Sequence, residues 1–417
     1  MKNKNIAVVL FNYPLGVSTM IINTIDMLRI DNTVKIYTNG DQSQNIPCDP
    51  WLEKLVEPII DKNLWHEENH LIGKLFRMAK RILRFILIKE SWESKNFRLL
   101  RFSKLLKQSI EKNQYDIIMA VEAFSLIAIA EVCKNNSDVE IIYFDMELLD
   151  WAEVNLLYVD KTELKKRQHR ILNDRVNRVV ITSFNRADIF SQINNFPRER
   201  VFVLPVVPRK RQHNTRSDYF RKKYNIGDDK YIVVYSGNFM PWAQCLEIIE
   251  SMTTWPCNAV LVMHTWNRSA MESDYFKKMQ DASKGFPTYF SADYLLYTEL
   301  GQALTSADIG LMFYESIDDN FTEICFSSNK MGEYLASGLP VICSPFPSLK
   351  EFIEKNEIGA AVSISEIGEA INKIIEDKTY YDKKVKECYN KHFIFDEYFN
   401  EVFNIRGNIC KREDANG

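Results

Sequence analysis

The sequence of 417 residues predicts an α/β protein with two doubly wound domains. Apolar runs of strand length alternate with helical patterns through the first half, as parallel βαβ units require. The alternation begins again at Tyr231, after a stretch whose Pro205 and Pro208 are typical of a linker. A chain of this length exceeds what one hydrophobic core ordinarily serves. We therefore expect domains at 1–208 and 209–379, followed by an amphipathic helical segment at 380–417.

Each predicted element follows from a run of apolar residues or from helical spacing. In the first domain we expect strands at 6–11, 33–37, 115–123, 139–149 and 178–183, and helices at 19–29, 126–134, 161–177 and from 185 onward. In the second domain we expect strands at 231–237, 259–265, 287–292, 308–314 and 340–344, and helices at 245–252, 275–282, 298–307, 366–376 and 380–404.

The segment 327–342, SSNKMGEYLASGLPVI, combines a helix start, a helix end and a buried strand. Its first three residues are types that favour an N-cap, and Gly338 suits the left-handed position that ends a helix. A helix N-terminus attracts anions, because its unpaired N–H groups and its dipole point at them. Glu333 lies one turn into the helix, within reach of a ligand's hydroxyls. The pattern predicts a diphosphate cradle with a carboxylate beside it, as a nucleotide-sugar needs.

This segment resembles the nucleotide-sugar signature of GT-B glycosyltransferases, especially those of family 4, in which a K..EYLA.G.PVI run follows a phosphate-binding loop. Segments 6–20, 231–252 and 306–316 extend the resemblance more loosely over most of the chain. The resemblance implies two Rossmann-like domains that face each other across a cleft, the first binding the acceptor and the second the nucleotide-sugar. It also implies that the C-terminal helix crosses back to the first domain.

The resemblance further implies a transferase that moves a sugar from a nucleoside-diphosphate donor to a hydroxyl of a glycan or lipid-linked acceptor, with retention, in surface polysaccharide synthesis. Glu333 is expected to hold the donor ribose. The other donor-binding candidates are Gly16, Gly237, Asn238, His264, Ser327, Ser328, Asn329 and Lys330. Each has a purely structural alternative, as a turn glycine, a helix cap, a surface charge or a satisfied strand-end histidine.

Two departures from the family pattern affect the donor site. Cys325 stands where family 4 usually has the earlier of two glutamates, and the loop 237–244, GNFMPWAQ, contains no Lys or Arg. We therefore expect Lys330, the amides near Ser328 or another arginine to bind the diphosphate. The departures leave open a non-catalytic GT-B-like binding subunit, and a nucleotide-sugar 2-epimerase is a further alternative.

Three carboxylates fall at the ends of first-domain strands, where doubly wound sheets bind ligands. They are Glu122, Asp145 and Glu147. In an inverting transferase one of them would take the proton from the acceptor hydroxyl; in a retaining one they would position substrate. Packing or capping is the structural alternative. Phe313 and Tyr314 are interpreted as core and pocket wall rather than as stacking partners.

The segment 71–90, LIGKLFRMAKRILRFILIKE, has six basic residues opposite a Leu/Ile/Phe face. Such a helix can lie on an anionic bilayer surface, where each basic residue contributes about 1 kcal/mol. The alternative is an amphipathic helix packed on the sheet with solvated charges. We favour contact with a membrane or a lipid-linked acceptor.

Composition excludes several other classes of protein. The net charge of −3 gives no nucleic-acid footprint. The eight cysteines form no CxxC pair and no zinc spacing, which indicates a reducing compartment. We expect no metal site and no cofactor besides the donor substrate. No apolar run is long enough to span a bilayer, so we expect a cytoplasmic protein, with the inner face of the plasma membrane as its site of association. The sequence does not specify the donor base, the sugar or the oligomeric state.

Overall fold

A computed structural model describes residues 1–13, 15, 18–39, 49–59, 97–133, 138–149, 161–209 and 216–403. The chain divides into two compact units. The first comprises Met1–Ser18, Thr24–Val180 and Phe190–Phe202, and the second comprises Thr19–Asn23, Ile181–Ile189 and Val203–Gly417. The domain boundaries expected at 208 and 379 stay predictions.

The first unit contains a seven-stranded sheet. The last residues of two of its strands, Ile181 and Val203, belong to the second unit. Its strands are β1 (Asn5–Leu10), β2 (Thr33–Thr38), β3 (Val56–Pro58), β4 (Ile117–Val121), β5 (Glu140–Asp145), β6 (Arg178–Ile181) and β7 (Val201–Val203). The helices along this part of the chain are α1 (Thr19–Asp31), α2 (Pro50–Glu53), α3 (Phe97–Asn113), α4 (Glu122–Cys133), α5 (Lys161–Arg175) and α6 (Phe184–Asn194). The strand order is β3-β2-β1-β4-β5-β6-β7, and β1 pairs in parallel with β2 and β4.

A six-stranded parallel sheet forms the second unit. Its strands are β8 (Tyr231–Ser236), β9 (Ala259–His264), β10 (Thr288–Ser291), β11 (Ile309–Met312), β12 (Val341–Cys343) and β13 (Gly359–Ala361). Its helices are α7 (Tyr219–Tyr224), α8 (Cys245–Glu250), α9 (Asp274–Ala282), α10 (Tyr297–Leu304), α11 (Asp319–Thr322), α12 (Asn329–Ala336), α13 (Pro347–Asn356), α14 (Ile367–Glu376), α15 (Lys378–His392) and α16 (Phe395–Phe403). The order is β10-β9-β8-β11-β12-β13, and every pairing is parallel.

Both sheets have one topological switch point, where consecutive strands are added on opposite sides of the first. In the first unit it lies between β1 and β4, and in the second between β8 and β11. Doubly wound sheets bind ligands beyond the carboxyl ends of the strands at such a point. The predicted fold class, an α/β chain with two doubly wound sheets, is confirmed.

Helix α12 is seated on the second sheet by the ring and the hydroxyl of Tyr334. Gly310 in β11 has no side chain, and a Cβ atom there would lie 2.4 Å from that ring. The Tyr334 hydroxyl accepts from the Ser236 N–H at 2.8 Å and donates to the Leu311 carbonyl at 3.1 Å. Because Ser236 ends β8 and Leu311 belongs to β11, these bonds fix α12 across the switch point.

Several expected elements differ from the observed ones. Residues 201–203 form the last strand of the first sheet rather than part of a linker. The expected helix at 380–404 is two helices, α15 and α16, with a break between them at Phe393 and Ile394. Glu122 begins α4 rather than ending the strand before it. Strands β3 and β13 were not expected; each has only three residues.

Candidate functional site

The N-terminus of α12 has the form of an anion site. The Ser328 hydroxyl caps the helix by accepting from the Met331 N–H at 3.4 Å. Among the described residues, the N–H groups of Asn329 and Lys330 have no acceptor. Gly338 has φ +79° and ends the helix, as its residue type predicts. The expected helix and both of its ends are confirmed, and two amides are left for an anion.

The side chain of Lys330 is buried, with only 7% exposed. Its ammonium lies 4.6 Å from the ring centroid of Tyr314, 5.1 Å from that of Tyr235 and 6.0 Å from that of Trp242. It donates one hydrogen bond, at 3.3 Å, to the Tyr314 hydroxyl. An ammonium has three donors, and within the described residues no carboxylate forms an ion pair with it. The cation is held by aromatic rings and retains donors for a ligand.

Gly237 makes room for this cation. A Cβ atom at Gly237 would lie 2.7 Å from the Lys330 Cε atom and 3.0 Å from Nζ. The residue directly follows β8, whereas Tyr314 lies just past β11. The Lys330 ammonium therefore sits at the switch point of the second sheet. The structure gives Gly237 this steric role, and its expected approach to the donor phosphates stays a prediction.

Glu333 is half-buried one turn further along α12. Burial raises the pKa of its carboxyl to about 8, and the nearby Lys330 charge opposes that rise. No hydrogen-bond or ion-pair partner contacts the carboxyl within the described part of the chain. A side chain desolvated in this way is available to a ligand's hydroxyl groups. Its expected role on the ribose stays a prediction.

Ser327 is not the capping residue. Its hydroxyl lies 2.6 Å from Thr182 Oγ1, which also accepts from the Arg186 guanidinium at 3.3 Å. Arg186 is buried, and it also donates to the Asn320 carbonyl. All four residues belong to the second unit. Arg186 is thus linked through Thr182 to the residue that precedes the cap, and the expected binding of the diphosphate by another arginine stays a prediction.

Asn238 and His264 lie beside the switch point without joining the Lys330 group. The Asn238 carbonyl accepts from the Tyr235 hydroxyl at 2.7 Å. The His264 ring is buried, its Nδ1 lies 3.0 Å from Ser291 Oγ, and burial lowers its pKa to about 4. His264 is therefore neutral near pH 7. Its carbonyl accepts from the N–H of Gly237, the first residue of the loop 237–244, at 2.9 Å.

The first unit places two of the three expected carboxylates at adjacent strand ends. Glu122, directly after β4, has φ +67° and accepts from the Met146 N–H at 3.2 Å. Asp145 ends β5, is buried, and accepts from the Tyr143 hydroxyl at 2.6 Å. Glu147 is exposed. A positive φ in a glutamate is uncommon and costly, and it occurs here at the switch point of the first sheet.

Tyr13 joins this group and was not among the candidates. Its pKa is raised well above the usual range, first by burial and then by the charges of Glu122 and Glu147. It follows β1, on the other side of the switch point from Glu122. The two carboxylates and this phenol therefore lie near one another. Gly16 and the basic segment 71–90 lie outside the described residues.

The aromatic residues around Lys330 were only partly anticipated. Tyr314 was interpreted as core and pocket wall rather than as a stacking partner for a ligand, and it is buried. Its ring does stack with Trp242, with centroids 6.2 Å apart and planes 5° apart. Tyr235 reads in the sequence as one more apolar position of a strand. The one sequence signal that could have placed Tyr235, Trp242 and Tyr314 at the site was their position, in or after the carboxyl ends of β8 and β11.

The described residues contain neither a cluster suited to a metal ion nor a helix suited to crossing a bilayer. Within those residues no group of three or more His, Cys, Asp or Glu side chains is arranged to hold a metal ion. No helix in the described ranges combines the length and the apolar composition that crossing a bilayer requires. The expectation that no cofactor is needed stays a prediction.

The two doubly wound units and the switch-point site place the chain in the GT-B fold class. Residues 259–396 match the family described as Glucosyltransferase 3-like, C-terminal domain. This match and the solved structures described below confirm the resemblance to GT-B glycosyltransferases, but they do not single out family 4. No curated protein matches the chain in sequence.

Solved structures agree with this fold. HepE of Anabaena, solved with UDP-glucose, matches with a TM-score of 0.66 and 12% identity over 96% of this chain and 98% of that chain. Sucrose-phosphate synthase of Thermosynechococcus elongatus matches with a TM-score of 0.65 and 14% identity over 96% and 97%. A glycosyltransferase of Rickettsia africae matches with a TM-score of 0.64 and 13% identity over 97% and 98%.

Proposed function

We propose that the protein is a glycosyltransferase that takes a sugar from a nucleoside-diphosphate donor, with UDP-glucose as the first candidate. The match to a glucosyltransferase 3-like domain supports a glucosyl donor. HepE, a structural neighbour, was solved with UDP-glucose, with UDP, and with UDP and glucose. In this chain the donor would be bound by the second unit.

The observation that carries the proposal is the buried Lys330 ammonium beside two free helix amides. A buried cation is costly unless an opposite charge compensates it. The described residues supply rings and one hydroxyl in place of that charge. A diphosphate would supply the charge and would use both the ammonium and the N–H groups of α12. The same contacts would stabilise the diphosphate as it leaves the sugar.

Glu333 would hold the ribose of this donor. An ionised carboxylate accepts hydrogen bonds from neighbouring hydroxyls. Its place one turn beyond Lys330 suits a ligand whose diphosphate occupies the helix N-terminus. The raised pKa means that ribose binding would favour loss of the carboxyl proton, since hydrogen bonds to the charged form lower a pKa.

The carboxylates of the first unit would bind the acceptor. Glu122 is the first candidate, because its uncommon backbone conformation holds its side chain at the switch point. It would position a hydroxyl of a glycan or lipid-linked acceptor, or accept its proton. Asp145 is bonded to Tyr143 and would have a supporting role. Retention of configuration and a place in surface polysaccharide synthesis belong to the same proposal.

Binding to the membrane would come from segment 71–90. Its six basic residues would attract an anionic bilayer surface. Replacement of Lys74, Arg77, Lys80, Arg81 and Arg84 by Gln should release the protein from vesicles that contain phosphatidylglycerol. Vesicles of phosphatidylcholine alone are the matched control. Equal sedimentation of both proteins with anionic vesicles would show that the segment does not bind them.

The first test is thermal stabilisation by nucleosides, nucleoside diphosphates and nucleotide-sugars of uracil, guanine, cytosine, adenine and thymine. A ligand that binds only the folded state raises the Tm. We expect UDP and UDP-glucose to stabilise the protein and uridine to do so much less. No shift with any diphosphate would contradict the proposal and favour a non-catalytic subunit. Release of UDP from UDP-glucose in the presence of acceptor glycans then separates transfer from binding.

A further inference from the structure

The Tyr314 hydroxyl joins the two parts of the anion site. It lies 2.9 Å from Ser328 Oγ, the cap of α12, and 3.3 Å from the Lys330 ammonium. Because an ammonium can only donate, the phenol oxygen is the acceptor in the second bond. The phenol proton then remains for Ser328. One hydroxyl thus contacts both the buried cation and the residue that holds the helix amides in place.

Tyr314 is itself held on two sides. Its N–H donates to Ser344 Oγ at 2.8 Å, and the Ser344 hydroxyl donates to its carbonyl at 3.1 Å. Ser344 is buried and directly follows β12. The Tyr314 ring also stacks on Trp242. Backbone and ring are therefore both fixed, so the position of the hydroxyl is set by the neighbouring strand and loop.

The fixed Tyr314 hydroxyl is important because few other polar groups at this site orient the Lys330 ammonium. The loop after β8 contains no Lys or Arg, and a lysine side chain has four carbons of free rotation. Cation–π contacts attract an ammonium but direct it weakly. A hydrogen bond from Nζ to a rigid partner fixes the cation before the ligand arrives, which removes an ordering cost from binding.

We propose that Tyr314 is a positioning residue that holds the Lys330 ammonium and the α12 cap in one arrangement for a diphosphate. The inference rests on the proposed function, because it names the device by which the same site recognises its ligand. It goes beyond that function in assigning part of diphosphate recognition to a tyrosine that acts through Lys330 and Ser328. The site would thus bind a diphosphate with one oriented cation, although the loop 237–244 supplies no Lys or Arg.

The test compares the Tyr314→Phe variant with the native protein in calorimetric binding of UDP and uridine. The variant keeps the ring, its stacking on Trp242 and its contact with Lys330, and loses only the hydroxyl. We expect UDP to bind about tenfold more weakly, as for one lost hydrogen bond to a charged group, and uridine to bind unchanged. Tyr224→Phe is the matched control, since it removes a hydroxyl bonded at 2.8 Å to the Phe290 carbonyl in the same unit.

A double-mutant cycle decides whether Tyr314 acts through Lys330. If it does, the loss of UDP affinity caused by Tyr314→Phe should be several-fold smaller in a Lys330→Gln background, where only the contact with the α12 cap remains to be lost. Equal loss of UDP and uridine, or full additivity with Lys330→Gln, would overturn the inference while leaving the proposed function intact. A native protein that binds UDP no better than uridine would instead overturn the proposed function. Melting curves of each variant show whether any loss reflects unfolding.

Discussion

A Cβ atom on Gly237 would lie 2.7 Å from Cε of Lys330, closer than such atoms approach in folded proteins. One glycine at the end of β8 thus decides whether a buried cation from α12 can occupy the switch point. The clash would involve the far end of a flexible side chain, which can move. The consequence therefore concerns the position of the charge more than the stability of the fold.

Gly237→Ala should weaken UDP binding about tenfold, as expected for a displaced charged donor. The free energy of unfolding should change by less than about 1 kcal/mol, because a Gly-to-Ala change also reduces the entropy of the unfolded chain. Titration calorimetry and urea unfolding measure the two effects. Gly227→Ala is the control, since its Cβ would meet only the Asp229 carboxylate, at 2.5 Å. Equal UDP affinities in both variants would contradict the steric role.

Asp308 should be a main determinant of the second unit's stability. Its carboxylate is 2% exposed, binds Arg216 and Arg221, and accepts from the Ile232 N–H at 2.8 Å. Asp308→Ala leaves the buried Ile232 N–H without its acceptor and removes the ion-pair partner of the half-buried Arg221, and should lower the free energy of unfolding by about 3 kcal/mol. Asp281→Ala removes an exposed pair with Lys284 and should cost less than about 1 kcal/mol. Similar urea midpoints would refute the difference.

Glu333 should make stability fall as the pH rises. The pKa of its carboxyl is about 8 in the folded protein, against 4.5 for an ordinary glutamate. Between these values the folded state holds a proton that the unfolded state has lost. The stabilisation is complete below the lower value and is lost by the upper one, at no more than about 1.4 kcal/mol per pH unit.

The Glu333→Gln variant isolates this contribution, because glutamine stays neutral. The native protein should lose Tm relative to the variant between pH 5.5 and pH 8.5. Parallel melting curves over that range would show that the carboxyl titrates normally. UDP binding to the native protein should also release protons near pH 7, detectable as a buffer-dependent heat, and binding to the variant should not.

The sequence predicted most of the fold because buried parallel strands are continuous apolar runs. It also predicted both ends of α12, since Ser328 and Gly338 are residue types with strong positional preferences. Strands β3 and β13 have three residues each, too few to show a pattern. The three-residue strand β12 was predicted because it lies inside the longer apolar run 339–343.

The site was predicted in part, for a different physical reason. Lys330 and Glu333 stand in a recognisable motif, but their surroundings come from segments far away in sequence. Tyr235 and Tyr314 look like core residues, and only the fold brings their rings to the Lys330 ammonium. The φ of +67° at Glu122 likewise left no mark on the residue types around it. Local patterns do not report such long-range contacts or single strained dihedral angles.

Glu122 offers a test in which backbone and side chain can be separated. Glu122→Ala and Glu122→Gly remove the same carboxylate and differ only in the cost of a positive φ. Glycine adopts that conformation without penalty, and an L-residue pays roughly 1 kcal/mol or more. The glycine variant should therefore be the more stable by about 1 kcal/mol in urea unfolding. In an ordinary first turn of a helix the order would be reversed, because alanine is the better helix former. The sign of the difference in the free energy of unfolding between the two variants therefore decides whether the positive φ is costly.

The same two variants test the role of the Glu122 carboxylate in the reaction. Both should lose sugar transfer and keep UDP binding if Glu122 acts on the acceptor. Unchanged transfer in the alanine variant would show that Glu122 takes no part in the reaction.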